Sequence, residues 1–142
     1  MYADDTALLD RLTAAAEIVR GQIRIAPRIA VVLGSGLSSF AGAVGEAVTI
    51  PYSAIPHFPA STVEGHPGCL VVGRVAGTPV IVMQGRVHGY EGYSPGQVTF
   101  HIRLLGSLGI KAIVLTNAAG GIRPDFKQGQ FVLLSDHINF TG

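Results

Sequence analysis

Apolar residues recur along the chain with two different periods. Between residues 5 and 20, Leu8, Leu9, Leu12, Ala16 and Val19 return at intervals that place them on one face of a helix. Asp4, Asp5 or Thr6 is suited to cap its start, and Gly21 to end it. The pattern then changes. "RIAVVLG" (28–34) is a short continuous apolar run rich in β-branched residues, which predicts a buried strand. Similar runs predict strands near 47–51 and at 69–75, 79–85, 112–117 and 131–138. "VAGTPV" supplies a turn that joins 69–75 and 79–85 as a hairpin. Helical spacing returns at Val98, Ile102, Leu105 and Leu108. Ser94 stands at the N-cap of this second helix, Pro95 at its first position, Gln97 completes a capping box, and Gly109 closes it. The mixture of strands and helices predicts one α/β layer structure. No repeat, low-complexity tract or interdomain linker interrupts it.

Composition narrows the function classes. Only 13% of the 142 residues are charged, against roughly a quarter in ordinary soluble domains. With 48% hydrophobic residues, much of the surface is expected to be buried in an oligomer or by further chain. The net charge is +1 and no basic stripe occurs, so nucleic-acid binding has no electrostatic support. Cys69 is the single cysteine, which excludes an internal disulfide framework. The start, "MYADDTALLDRL", is acidic where a signal peptide is basic. No run reaches the ~18 apolar residues of a membrane span. A cytoplasmic location and no membrane partner are the expectation.

Chemistry-bearing residues gather where apolar runs end. "VVLGSGLSS" sets a Gly-Ser-Gly turn straight after a strand, where backbone N–H groups and the Ser35 hydroxyl can cradle an anion. A plain tight turn explains it equally well. A dinucleotide fingerprint is excluded because Ser39 occupies the third glycine position, and no Gly-Lys-Ser/Thr follows for a P-loop. "GYSPG" (92–96) matches a nucleophile-elbow pattern but lacks the preceding strand, so Ser94 reads as a helix cap. The five histidines, His57, His66, His88, His101 and His137, have no metal-ligand spacing, and His101 reads as a structural helix residue. "NFT" (139–141) fits a glycosylation acceptor without any sign of secretion.

"VMQGRVHGYEGY" (82–93) is richer. Arg86 and His88 lie two apart, which on extended backbone puts them on one side. A guanidinium forks onto phosphate and an imidazole adds a hydrogen bond. Glu91 is placed to orient the ring and to favour its protonated form. The bland alternative is a polar strand end at the surface. "LTNAAGGIRP" (115–124) is a further strand end, with bare backbone at Ala118 and a polar group at Asn117. Three glycine-bearing strand ends in one α/β chain favour a shared ligand site.

Taken in order, "VVLGSGL", "FPASTVEGHPG", "MQGRVHGYEGY", "LTNAAGGI" and "LLSDHINF" resemble the trimeric purine nucleoside phosphorylases. The likeness runs from about residue 28 onward. The related methylthioadenosine phosphorylases share the fold but differ at the Arg-His and Asn-Ala-Ala-Gly segments. The resemblance implies a nucleoside-phosphorylase-like α/β fold, a mixed sheet flanked by helices, and reversible phosphorolysis of purine (deoxy)ribonucleosides by a homotrimer, with phosphate as co-substrate and no metal or organic cofactor. It implies that Ser35, Arg86, His88 and the Ala118 N–H hold phosphate, with His66 on the same side. Tyr90, Asn117 and Ala118 face the nucleoside, Tyr90 as the ribose contact, and Glu91 orients His88, giving His88 and Glu91 the catalytic part. Family members are roughly twice this length, and their base-recognising residues come from the later half. Residues 1–142 are therefore expected to be the N-terminal portion of a single nucleoside phosphorylase domain, with the alternatives of a methylthioadenosine phosphorylase or a non-catalytic phosphate- or nucleoside-binding fragment.

Overall fold

The structure, a computed structural model, describes residues 2–60 and 68–140. It contains the helices α1 (Tyr2–Gln22), α2 (Pro95–Val98) and α3 (Phe100–Ser107) and the strands β1 (Ile29–Leu33), β2 (Gly45–Pro51), β3 (Cys69–Val75), β4 (Thr78–Gln84) and β5 (Ala112–Leu115). The strands form one sheet in the order β2-β3-β4-β1-β5. β2, β3 and β4 are antiparallel neighbours, whereas β4, β1 and β5 run parallel. The mixed sheet with its helices is the expected fold class.

The expected hairpin is present, with Cys69 paired to Gln84 and Val75 to Thr78. Ala76 and Gly77 close it with φ of 47° and 79°, the doubly left-handed turn that matches strand twist. Side chains alternate between two cores, as a pleated strand requires. One face buries Ala30, Val32, Ile50, Leu70, Val72, Ile81 and Met83 against Leu12, Ala15, Ala16 and Val19 of α1 and Phe100, Leu104 and Leu105 of α3. The other face gathers Leu33, Val44, Cys69, Val71, Val80 and Val82. β4 is covered on both sides, which explains why its run is continuously apolar. Arg20 near the end of α1 donates to the Ser107 carbonyl and ties the two helices' C-termini together.

Three expectations need correction. α1 already starts at Tyr2, so positions 4–6 lie within the helix and not at its N-cap. The helix expected from Ser94 onward is two pieces. Ser94 caps the first as foreseen, exchanging hydrogen bonds with Gln97, but the Thr99 hydroxyl bonds back to the Pro95 carbonyl at 2.8 Å and the helix breaks there. The strand expected at 131–138 does not form, and residues 116–140 carry no helix or strand. A strand exists only where a neighbour takes up its backbone groups. β5 is the last strand of the sheet, and Phe131 and Leu133 are almost fully exposed.

Candidate active site

The parallel half of the sheet sends β1, β4 and β5 out at the same end, and three loops meet there. β4 ends at Gln84, and Gly85 turns at φ 107° to release Arg86. The Tyr52 hydroxyl holds this exit, donating to the Gly85 carbonyl at 2.7 Å. Burial pushes that hydroxyl's pKa far above its usual range, and the neighbouring Cys69 adds to the effect, so Tyr52 stays a donor. Beyond β1, Gly34 packs so closely on β5's end that an added Cβ would stand 2.5 Å from the Thr116 oxygen and 2.8 Å from the Asn117 Cα. Only glycine fits that approach. Ser35 follows it, exposed, at the head of the loop. Gln84 steadies this loop too, its side-chain amide donating to the Ser38 carbonyl at 3.0 Å while its oxygen accepts from the Cys69 thiol at 3.3 Å.

An open cavity of about 520 Å³ lies between the strand ends and α2–α3. Arg86, His88, Tyr90 and Asn117 line it together. Arg86 Nη1 donates to the Thr116 carbonyl at 2.7 Å. A guanidinium carries five N–H donors, so this one bond aims the fork and leaves the rest for a ligand. Glu91 Oε1 accepts from the backbone N–H of His88 at 2.7 Å and lies within hydrogen-bond distance of the ring Nδ1, at 3.0 Å. The paired contacts between Glu91 and His88 fix the plane of the imidazole relative to the strand end. The Glu91 side chain is buried and the imidazole is partly open, an orienting group behind a working one. Tyr90 stacks on the imidazole with centroids 4.8 Å apart and is itself largely exposed.

The structure therefore brings Arg86, His88, Tyr90, Glu91 and Asn117 together. Ser35 follows Gly34, which packs on Thr116, and Ala118 follows Asn117, but neither Ser35 nor Ala118 lines the cavity. His66 lies outside the described residues. Two cavity residues went unrecognised in the sequence. His101 is buried on α3 beside Arg86, where burial, and secondly the Arg86 charge, push its pKa down to about 4 against an opposing bond to Val98. Thr116 touches two of the three loops directly, yet its β-branched side chain had read only as strand. Among the described residues no grouping of three metal-ligating side chains occurs, and no helix is long and apolar enough to cross a membrane.

With this geometry in place, the comparisons with known proteins are specific. The model of the phosphorylase superfamily matches residues 28–142, and the chain belongs to that superfamily. Its relatives there are purine nucleoside phosphorylases. The chain is 47% identical to purine nucleoside phosphorylase 1 of Bacillus subtilis (strain 168) over 133 residues, covering 94% of this chain and 49% of that protein. It is 48% identical to purine nucleoside phosphorylase of Mus musculus over 116 residues, covering 82% and 40%. Among solved structures, isoform 2 of the Schistosoma mansoni purine nucleoside phosphorylase, in complex with cytosine and ribose-1-phosphate, superposes with a TM-score of 0.79 at 41% identity, covering 87% of this chain and 43% of that one. The Schistosoma enzyme with hypoxanthine gives 0.78 at 41% identity over 87% of this chain and 43% of that one. The chain thus spans about half or less of its relatives' length.

Proposed function

We propose that this chain supplies the phosphate-site half of a purine nucleoside phosphorylase. The reaction is reversible: a phosphate oxygen bonds to the sugar's anomeric carbon, the C–N bond to the purine breaks, and its electron pair leaves with the base. Positive charge grows on the sugar as that bond stretches, and a phosphate fixed against it both stabilises the charge and attacks. Arg86 and His88 clamp the phosphate, with the Ser35 hydroxyl, the Ala118 N–H and His66 as further donors. Tyr90 and Asn117 meet the nucleoside, and Glu91 holds the His88 ring. Phosphate is the co-substrate, and no metal or organic cofactor takes part. The assembly is a homotrimer in the cytoplasm, working in purine salvage, with neither nucleic acid nor membrane as partner. Residues 1–142 are the N-terminal portion of one domain.

The observation that carries this reading is the meeting of a guanidinium, a carboxylate-oriented imidazole and the Thr116–Asn117 strand end around one cavity. In the complete enzyme carrying this sequence, Arg86→Ala is expected to lose about 2–4 kcal/mol of transition-state stabilisation in phosphorolysis. Unchanged kcat/KM in that variant sinks the assignment. The coverage of about half or less of the relatives favours a second reading, a phosphate-binding fragment without turnover. Phosphate-dependent release of base from inosine separates the two.

A further inference from the structure

We propose that Thr116 is a positioning residue that locks the phosphate clamp together, an inference that rests on the phosphate reading above. Thr116 is the first residue beyond β5 and closes the parallel ladder, its N–H donating to the Val32 carbonyl at 3.1 Å. Its hydroxyl donates to the same carbonyl at 2.9 Å and accepts the Gly34 N–H at 2.8 Å. Its own carbonyl receives Arg86 Nη1 at 2.7 Å. One residue therefore bonds to the loop after β1, bonds to the arginine after β4, and begins the Asn117–Ala118 segment. The hydroxyl's single proton is committed to Val32, so Thr116 acts through Gly34, Ser35 and Arg86 and not as a phosphate donor.

The residue type follows from this geometry. Gly34 is buried, and its N–H needs a partner where the backbone ladder has run out. A β-branched side chain has few χ1 choices, so the hydroxyl is held ready for that N–H. Valine keeps the shape and removes the acceptor. Serine keeps the acceptor and loosens the rotamer. The Thr116 carbonyl is confined from the Gly34 side as well, where even a methyl group would collide with it. The carbonyl that aims Arg86 thus packs closely against the Gly34 backbone.

The test is steady-state phosphorolysis in the complete enzyme, varying phosphate at saturating nucleoside and then the reverse. Thr116→Val is expected to raise the phosphate KM about tenfold, the size of one lost hydrogen bond, and to leave the nucleoside KM within about twofold. Thr116→Ser is expected to recover most of the phosphate KM. Arg86→Ala serves as the reference. If it leaves phosphate kinetics untouched, the phosphate reading itself fails. If it raises the phosphate KM while Thr116→Val does not, the positioning role alone fails. A Thr116→Val defect shared equally by both substrates and not relieved by serine also overturns the role, since that is general loss of structure. Should Thr116→Val not fold, Thr116→Ala removes the same hydroxyl without adding a methyl group in its place. A wild-type phosphate KM there overturns the proposal.

Discussion

A histidine ring buried beside a guanidinium gives stability a handle on pH. In the folded protein His101 stays neutral down to about pH 4, because burial and then Arg86 oppose its charge. In the unfolded chain it titrates near 6.5. Between those values the unfolded state binds more protons, so stability rises with pH across the window. The contribution is complete above pH 6.5 and is lost as the pH falls toward 4. The shift corresponds to a loss on the order of 3 kcal/mol for a side chain this buried. Denaturant unfolding measured from pH 7 to 4.5 is expected to show a shallower decline for His101→Leu than for the native protein. Parallel declines would remove His101 from the account. The helix position of His101 was legible in the chain, but the neighbour that gives it this property was not. Arg86 is fifteen positions away in another element, and only tertiary packing puts the two side by side.

Gly73 has the same kind of constraint at the scale of a strand. It sits within β3, facing the stretch of β2 where the register shifts between Gly45 and Val48. An added Cβ would run into the Gly45 carbonyl oxygen and stand 2.6 Å from the Val44 Cγ1. Gly73→Ala is expected to cost about 1–3 kcal/mol in thermal unfolding, as overpacking does. Gly42→Ala, where a Cβ meets nothing within 4 Å, serves as the control and is expected within about 0.5 kcal/mol of native. A native-like Gly73→Ala would mean that the irregularity in β2 relaxes freely. The elements that were legible in the sequence share a local cause. β1, β3 and β4 are continuous apolar runs, and the Ala76–Gly77 turn lies between two of them. The elements that were misread depend on distant partners or on side-chain bonds to backbone. "FVLLSDHI" has strand composition without a strand to pair with, Thr99 cuts a helix through its own hydroxyl, and Thr116 ends β5 two residues short of the expected Asn117. The site divides the same way. Arg86, His88 and Glu91 were legible because a few positions separate them, whereas Thr116 became visible only when β1 and β5 came together.

For the molecule as a whole, the dominant feature is the exposure of large apolar side chains from residue 113 onward. Leu115, Ile122, Phe131, Leu133, Ile138 and Phe140 are each 66–98% exposed. So much exposed apolar surface favours association, and with 13% charged residues little opposes it. In solution, residues 1–142 alone are expected to have a mass above the 14.8 kDa of one chain and to release no base from inosine and phosphate. Light scattering and a base-release assay on the purified chain check both points. A stable monomer with phosphorolytic activity would end the fragment reading.

The split between antiparallel and parallel strands also sets an order of assembly. The β3–β4 hairpin closes through two residues, and hairpins of this kind form in microseconds. β1 must instead find β4 with Ile29 against Val80, and then β5 with Ile29 against Ala112. Pairings so distant in sequence carry a loop-closure cost before any contact rewards it, and they form late. Pulse-labelled hydrogen exchange during refolding is expected to protect the amides of 70–83 before those of 30–33. Simultaneous protection would argue for a single concerted step. On this order the clamp region is the last part of the sheet to assemble, so the chain commits to its fold before it possesses a binding site.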